Sequence, residues 1–307
     1  MFNRPETATD NSRVKNATSG KNSTGEAIIW SLADMLLVAG AMSALVKAQG
    51  VAYPAFQLVF IRALIGLIFI LPLIWRERQQ MLHIRHPWRN LTRIVCNAIA
   101  LTSQFFAYAL MPLVVVNALS FSRPLVTMLM AVVMLSEKVS RIQWIGAGIA
   151  FGGVLIMLNP SGGFVWSVGL AAIAINVVFG SLATIQTRQL REESTTVMMV
   201  FYTVGLVVLT AIPAIMTWQP VKAMDWIPLI GIGLLAQAGQ YCFLRAYRLA
   251  DASVLAPISY LSIVVMAITG YVFFGDVPEL KIIIGSAIVL CSLQLTSVLE
   301  RRAKKKN

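Results

Sequence analysis

Ten apolar stretches of about 20 residues, separated by short polar connections, dominate the pattern of this chain. A helix needs about 20 apolar residues to cross a hydrocarbon layer roughly 30 Å thick, so each stretch predicts a transmembrane helix. The predicted spans cover residues 26–48, 55–75, 90–109, 112–134, 142–158, 164–187, 195–217, 226–247, 252–274 and 280–299. Because the connections are short, successive helices must be antiparallel neighbours in one compact helical body.

Composition agrees with a membrane environment. Of 307 residues, 58% are hydrophobic and only 12% are charged, whereas a soluble domain has about 25% charged residues. The mean hydropathy is +0.76, and the class predicted is an all-α integral membrane protein with the lipid bilayer as its partner. The net charge of +12 lies in connections and tails, as is typical of membrane proteins, so we expect no nucleic-acid partner.

The distribution of Lys and Arg predicts the orientation, because positive connections stay on the cytoplasmic side. With the N-terminus inside, the inner connections and both tails hold most of the 25 basic residues, including Arg93 at the start of the third span, while the outer connections hold Lys222 and Lys281. Both termini are therefore predicted in the cytoplasm of a bacterial-type inner membrane. Residues 1–25 are expected to be a disordered cytoplasmic tail and residues 300–307 a basic one.

The chain contains an internal repeat. A shift of 139 residues places Tyr108 on Tyr247, Ser120 on Ser259 and Gly146 on Gly285. This predicts two five-helix repeats, residues 26–158 and 164–299, and because five is odd the second must enter the membrane from the opposite side. Inverted repeats of this kind are typical of secondary transporters that work by alternating access.

Two motifs carry a resemblance to a known family. The stretch from Ala118 to Leu125, followed by 135–139, resembles the fourth helix and following turn of the drug/metabolite transporter superfamily, EamA type. The stretch from Ala246 to Pro257 resembles the matching turn and ninth helix of that family. The resemblance implies a ten-helix carrier of small organic metabolites, working as an exporter or an importer.

Within that family, Lys47 and Arg62 resemble the lysine and arginine of the branch that contains S-adenosylmethionine and riboflavin importers. Two departures stand beside this resemblance. The branch often has an acidic residue near position 43 or 44, where this chain has Ser43 and Ala44. Arg123 occupies a position that is uncharged in many relatives.

Four ionisable residues fall within the spans, namely Asp34, Lys47, Arg62 and Arg123. Such groups are costly in hydrocarbon, so they are candidates for function. Arg123 shares a polar stripe with Ser120 and is a candidate substrate ligand or a structural partner of Asp34 or of helix-end carbonyls. Arg62 is a candidate for substrate binding or for a gate, Lys47 for an ion pair or for a snorkelling side chain, and Asp34 for a proton relay or an ion pair.

Neutral polar residues complete the predicted substrate site, although each could instead bridge two helices by hydrogen bonds. These candidates are Ser120, Asn97, Gln104, Asn176, Gln237, Gln240, Tyr241, Ser259 and Tyr260. The glycines of the fifth helix and Gly285 of the tenth predict close packing within one chain or between two chains of a homodimer. Pro124 and Pro257 are expected to interrupt their helices near mid-membrane.

No motif indicates catalysis, a cofactor or a metal. Cys96, Cys242 and Cys291 lie in separate apolar runs, and His83 and His86 share one connection. We expect a secondary transporter of an amino-acid-like, S-adenosylmethionine- or nucleoside-like, or flavin-like metabolite, with uptake favoured. Three embedded cations against one carboxylate favour a substrate with an anionic or electron-rich group. The alternatives are an exporter of the same fold and a membrane enzyme acting on lipid-linked substrates.

Overall fold

The computed structural model describes residues 25–76, 86–136, 140–158, 167–190, 195–249 and 261–306. All regular structure in these ranges is helical. The predicted disordered tail lies outside the described residues except for Gly25. The helices are α1 Gly25–Gln49, α2 Ala55–Arg76, α3 Pro87–Leu110, α4a Leu113–Ser120, α4b Arg123–Leu135, α5 Arg141–Leu158, α6 Val168–Gln189, α7 Thr195–Met216, α8 Trp226–Leu249, α9 Ser262–Phe274 and α10 Leu280–Lys306.

These helices correspond to the ten predicted spans. Seven helical segments of the described chain are long and apolar enough to cross a membrane, and shorter apolar segments lie at 141–157, 262–274 and 280–296. The prediction of an all-α membrane protein is confirmed. The apolar side chains that face outward, such as Val133 and Ile215, are the surface expected of a protein whose solvent is lipid.

The fourth span, Leu113–Leu135, matches the span predicted over 112–134 and contains a local turn. The chain turns at Phe121 and Ser122, and α4b begins at Arg123 with Pro124 in its first turn. Proline has no N–H to continue a helix but fits a helical first turn, so Pro124 favours a new start at this point. The break leaves Arg123 at the N-terminus of a short helix within the bundle.

The first helix contains a π-helical segment, Leu36–Met42. The Ser43 hydroxyl donates to the carbonyl oxygens of Ala39 and Gly40 and so pairs backbone groups within this segment. A Cβ at Gly40 would lie 3.2 Å from Cγ1 of Val265, so α1 and α9 approach closely here. Such π-helical turns are frequent at functional sites.

The two repeats interleave rather than stand side by side. Helix α3 packs on α6, α2 packs on α7 and α8, and α1 packs on α8 and α9. Helices α5 and α10 form a separate pair, in which a Cβ at Gly153 would lie 2.7 Å from the carbonyl oxygen of Gly285. The predicted glycine packing is thus found between helices of one chain, at equivalent faces of the two repeats.

Arg93 corrects one detail of the predicted topology. The sequence placed it among the basic residues of an inner connection, but it lies within α3 and is only 7% exposed. Its guanidinium donates from Nη2 to the carbonyl oxygen of Met198 over 2.8 Å. Arg93 therefore joins α3 to the start of α7, which a charge count along the sequence does not reveal.

Candidate functional site

A cavity of about 220 Å³ lies on the boundary between the two repeats. It is lined from the first repeat by α1, α3 and α4a, and from the second by α8 and α9. Its lining residues are Ser31, Asp34, Met35, Val38, Ala39, Gln104, Tyr108, Asn117, Phe243, Ala246, Ser262 and Met266. Transporters with inverted repeats bind their substrates at this kind of location.

Asp34 is the ionisable carboxylate of the cavity wall. Helix α8 makes room for it with Gly239, because a Cβ there would lie 3.1 Å from the Asp34 Oδ1 atom and would overlap Val38. Within the part of the chain that the structure describes, no Lys or Arg forms a salt bridge with Asp34. The carboxylate therefore faces the cavity without an internal cation, which makes it available to a cationic group of a ligand.

Two neutral polar pairs line the remainder of the cavity. The Gln104 amide donates from Nε2 to the Tyr108 hydroxyl over 2.8 Å. The Asn117 amide donates from Nδ2 to the Ser262 hydroxyl over 3.1 Å and joins α4a to α9. Each pair keeps further donor or acceptor capacity, so the wall can hydrogen-bond a polar ligand as well as contact its apolar parts.

Arg123 does not line this cavity. Its guanidinium turns toward α6, where Nη2 donates to Oδ1 of Asn176 over 2.7 Å. Asn176 in turn donates to the carbonyl oxygen of Ala100 over 2.7 Å. A Cβ at Gly180 would lie 2.9 Å from Cζ of Arg123, so α6 has a glycine where the arginine packs against it. The structural partner of Arg123 is thus an amide rather than Asp34.

Arg62 also lies away from the cavity. Its Cζ atom stands 5.9 Å from the centroid of the Phe105 ring, a cation–π arrangement inside the bundle. Two of its buried nitrogens, Nε and Nη1, have no hydrogen-bond partner among the described residues. Arg62 and Arg123 therefore sit in separate interhelical contacts, that of Arg62 within the first repeat and that of Arg123 between the two repeats.

Lys47 forms an ion pair with Asp276, at the end of the bundle predicted to face outside. The Lys47 ammonium also stands 4.6 Å from the centroid of the Phe274 ring. Two other links cross between the repeats at this end. The Tyr53 hydroxyl donates to Oδ2 of Asp225 over 2.5 Å, and Gln57 exchanges two hydrogen bonds with the backbone of Gln219, of 2.8 and 2.9 Å.

We call these three links, Lys47–Asp276, Tyr53–Asp225 and Gln57–Gln219, the latch, and the end that carries them the latch end. The hydrogen bond to Asp225 raises the pKa of Tyr53 above its usual value. At the opposite end, an exposed pair of Arg245 and Glu26, 3.4 Å apart, joins α8 to α1. The latch residues are not among the lining of the cavity, which reaches Ser31 and Ala246 toward the opposite end.

The remaining predicted residues are dispersed. Ser120 and Asn97 bond to carbonyl oxygens of their own helices, at Val116 and Arg93. Tyr241 is 59% exposed on the outer face of α8 and stacks edge-to-face on the Trp30 ring. Of the predicted residues that the structure describes, Asp34 and Gln104 line the cavity.

Gln237 and Gln240 lie on α8 but outside the cavity lining. A Cβ at Gly66 would lie 2.9 Å from Oε1 of Gln237, so this amide occupies the contact between α2 and α8. Gln240 is half-buried on the same helix. Ser259 and Tyr260 lie outside the described residues, as does Pro257.

Sequence reasoning missed several functional candidates that the fold brings together. The sequence identifies Tyr108 as a match to Tyr247 in the repeat, which does not indicate that it lines a cavity. Asn117 is a single amide within an apolar run. Gly239 is recognised as a site residue only when its neighbour Asp34 is known. Among the described residues, no cluster of His, Cys, Asp and Glu side chains is arranged to hold a metal ion.

Ten membrane helices in two inverted repeats, with a polar cavity on the boundary between them, define the class of membrane transport proteins. The model of the EamA-like transporter family matches residues 26–159 and 167–298. The chain belongs to the EamA-like transporter family, as the two sequence motifs predicted.

Known proteins of the family cover most of the chain. It is 29% identical to the pseudopaline exporter of Pseudomonas aeruginosa over 81% of this chain and 88% of that protein. It is 24% identical to the S-adenosylmethionine uptake transporter of Rickettsia bellii over 88% of this chain and 93% of that protein. A solved crystal structure with 20% identity has a TM-score of 0.64 and covers 91% of this chain and 99% of its own, which supports the fold alone.

Proposed function

We propose that this protein is a secondary carrier that takes up a small organic metabolite bearing a cationic group, by alternating access across a bacterial-type inner membrane. The observation that carries the proposal is the Asp34 carboxylate, which faces the cavity between the repeats without an internal cation among the described residues. The latch on one side of this cavity supports a state that is closed at that end.

The placement of the charges reverses the substrate preference expected from the sequence. Counting embedded charges favoured an anionic substrate, but Lys47 is paired with Asp276, and Arg62 and Arg123 lie outside the cavity lining. Among the described residues that line the cavity, the charge available to a ligand is the negative one of Asp34. A carboxylate in a low-dielectric cavity favours an ammonium or sulfonium group, so an amino-acid-like or S-adenosylmethionine-like metabolite fits better than a flavin-like one.

Relatives provide support for both directions of transport. The Rickettsia bellii relative is an uptake transporter and the Pseudomonas aeruginosa relative an exporter. The same cavity would serve export if the driving gradient were reversed, which makes export the second candidate. A membrane enzyme acting on lipid-linked substrates has no such support from either relative.

Transport is tested by counterflow in proteoliposomes with a panel of radiolabelled amino acids, nucleosides and S-adenosylmethionine. A carrier exchanges labelled for unlabelled substrate, whereas a channel shows no counterflow. Asp34→Asn removes the cavity charge and should lower exchange of the active compound about tenfold or more, since hydrogen bonds to charged groups contribute about 1.5–3 kcal/mol. Glu26→Gln, an exposed carboxylate of the same helix, is the matched control and should keep nearly full activity.

We further propose that Asp34 is the proton relay for which the sequence made it a candidate, and Asp34→Asn also tests this role. Uptake driven by an imposed pH gradient should be lost in vesicles that carry the Asp34→Asn variant, even where residual exchange persists. A response to the gradient equal to that of the native protein would assign coupling to another group. No counterflow with any compound of the panel, together with no effect of Asp34→Asn on binding, would contradict the proposed carrier.

Orientation and assembly remain part of the proposal. We propose that both termini are cytoplasmic, so that the latch end faces outside. Val51→Cys, at an 84% exposed position beside the latch, should then react with an impermeant thiol reagent added to intact cells.

Helix α5 presents Gly148 and Gly152 to open space, and small residues at this spacing favour helix contacts. We propose that these two glycines form the contact of a homodimer. Cross-linking of Gly148→Cys tests this contact.

A further inference from the structure

The two repeats contribute unequally to the cavity, because at several pairs of equivalent positions a single member lines it. Under the 139-residue shift, Gln104 of α3 is equivalent to Phe243 of α8, and both line the cavity. Arg123 is equivalent to Ser262 under the same shift, yet Ser262 lines the cavity and Arg123 does not. The second repeat thus presents to the cavity a position that the first repeat keeps packed away.

Backbone structure supports this equivalence independently of the sequence match. Arg123 is the first residue of α4b, and Ser262 is the first residue of α9 as described. Both helices run for 13 residues from these points and end at a residue in the left-handed conformation, Ser136 and Gly275. The two side chains therefore stand at the same point of two like elements.

Arg123 has an incomplete set of partners where it now lies. Its described hydrogen-bond partner is the neutral amide of Asn176, and its buried Nε has no partner among the described residues. Burying a cation without a carboxylate beside it is costly. A charged ligand that binds the guanidinium in another conformation would explain why a cation occupies this position.

We propose that Arg123 is a substrate ligand in the opposite state of the carrier, in which it leaves Asn176 and lines the cavity at the position that Ser262 holds here. This rests on the proposed function, because carriers built from inverted repeats reach their second state when the two repeats exchange conformations. In that state the latch is open and α4b, rather than α9, forms the cavity wall. In the state described here, Asn176 of α6 is a positioning residue that holds the guanidinium away from the cavity.

The exchange assigns a second chemical requirement to the substrate. In the state described, the cavity offers the Asp34 carboxylate; in the opposite state it offers a planar guanidinium, which binds carboxylates in a bidentate manner. A substrate with one cationic and one anionic group, as in an α-amino acid moiety, satisfies both. The two charged contacts would be made from different faces of the membrane.

Cysteine accessibility tests this assignment without knowledge of the substrate. In a background with Cys96, Cys242 and Cys291 changed to Ser, the protein carries Arg123→Cys, Ser262→Cys or Thr127→Cys in nanodiscs, where both faces are accessible. Thr127, one turn beyond Arg123 on α4b and buried here, tests the same helix with the arginine retained. Ser292→Cys, at a buried position in the contact of α10 with α5, is the control for general loosening.

The labelling rate of each variant is measured in two backgrounds, one with the latch intact and one with the latch weakened by Asp276→Asn and Tyr53→Phe together. We expect latch release to raise the labelling rates of Arg123→Cys and Thr127→Cys about tenfold, to lower that of Ser262→Cys, and to leave Ser292→Cys unlabelled. Two reagents of similar size, sulfonatoethyl and trimethylammonioethyl methanethiosulfonate, report the charge of the cavity. With the latch released, Thr127→Cys should react about tenfold faster with the anionic reagent, and Arg123→Gln should abolish this preference.

The outcomes separate the two proposals. If latch release changes Ser262→Cys labelling but leaves both α4b positions unlabelled, the carrier alternates and Arg123 is a permanent structural group, which overturns this inference alone. An equal rate with the two reagents at Thr127→Cys likewise overturns the role of the guanidinium. If Ser262→Cys is insensitive to the latch, the cavity does not alternate, and the proposed function fails together with the inference.

Discussion

Lys47 of α1 and Asp276 of the connection between α9 and α10 form an ion pair that joins the first repeat to the second at the latch end. Both side chains are largely buried, with 14% and 15% exposed, and the Phe274 ring covers the ammonium. Alternating access requires these two elements to separate. The pair is therefore placed to hold one state of the carrier and to break in the other.

Removing one partner of this pair should destabilise the described state. Asp276→Asn leaves Lys47 partly buried without a counter-charge, which we expect to cost about 1–3 kcal/mol, between the values for exposed and buried pairs. The apparent melting temperature in detergent should fall, and the charge-swapped double variant Lys47→Asp with Asp276→Lys should recover part of the loss. Glu279→Gln, which breaks the more exposed pair with Lys281, is the control; an equal effect of the two substitutions would deny the latch pair a special role.

Gly239→Ala should impair transport more than folding. A Cβ at this position would overlap Val38 and approach Oδ1 of Asp34 to 3.1 Å, so α1 must shift and the cavity carboxylate must move. Small displacements of a binding group commonly reduce rates by large factors, and we expect at least a tenfold loss of counterflow. Gly25→Ala, at the first residue of α1, meets no atom within 4 Å and should leave transport unchanged.

The raised pKa of Tyr53 predicts that the latch weakens at alkaline pH. The raised pKa of Tyr53 arises first from its hydrogen bond to Asp225, and a pKa raised by folding means that the folded state holds the proton more tightly. The stabilisation is fully present below the unfolded pKa of about 10 and is lost as the pH rises through the folded value. A melting curve against pH should show this loss in the native protein and a smaller one in Tyr53→Phe.

Tyr271→Phe serves as the comparison for the alkaline series. Tyr271 is 62% exposed on α9 and takes no part in the latch. If Tyr53→Phe and Tyr271→Phe follow the same pH curve as the native protein, the Tyr53–Asp225 link does not contribute to the latch.

The family was predicted from the resemblance of two motifs to a known family, whereas long apolar runs and the repeat that matches Tyr108 with Tyr247 were sufficient to predict the helices and their grouping into two repeats. These features depend on composition and periodicity, which are properties of the sequence itself. The division of the fourth span followed in part from Pro124, because a proline favours a helix start. The position of the break at Phe121 and Ser122 was not predicted.

Side-chain neighbours across helices could not be obtained in the same way. Helical periodicity places Ser120, Arg123 and Thr127 on one face of a continuous helix, but it does not say which neighbouring helix that face meets. Arg123 meets α6, because Gly180 and Asn176 provide space and a partner there. Asp34 was found as an isolated carboxylate, yet its position in the cavity depends on Gly239 of a helix about 200 residues further along the chain.

Cross-linking of the latch tests alternating access at this cavity most directly. In the cysteine-free background, Lys47→Cys and Asp276→Cys are joined by oxidation or by a short bifunctional thiol reagent, and counterflow of the substrate identified in the panel is measured before and after. Cross-linking should stop counterflow, and reductant should restore it after oxidation, while either single cysteine variant is unaffected by the same treatment. Undiminished counterflow through a fully cross-linked protein would show that the repeats need not separate at the latch, and the carrier mechanism proposed for this chain would be wrong.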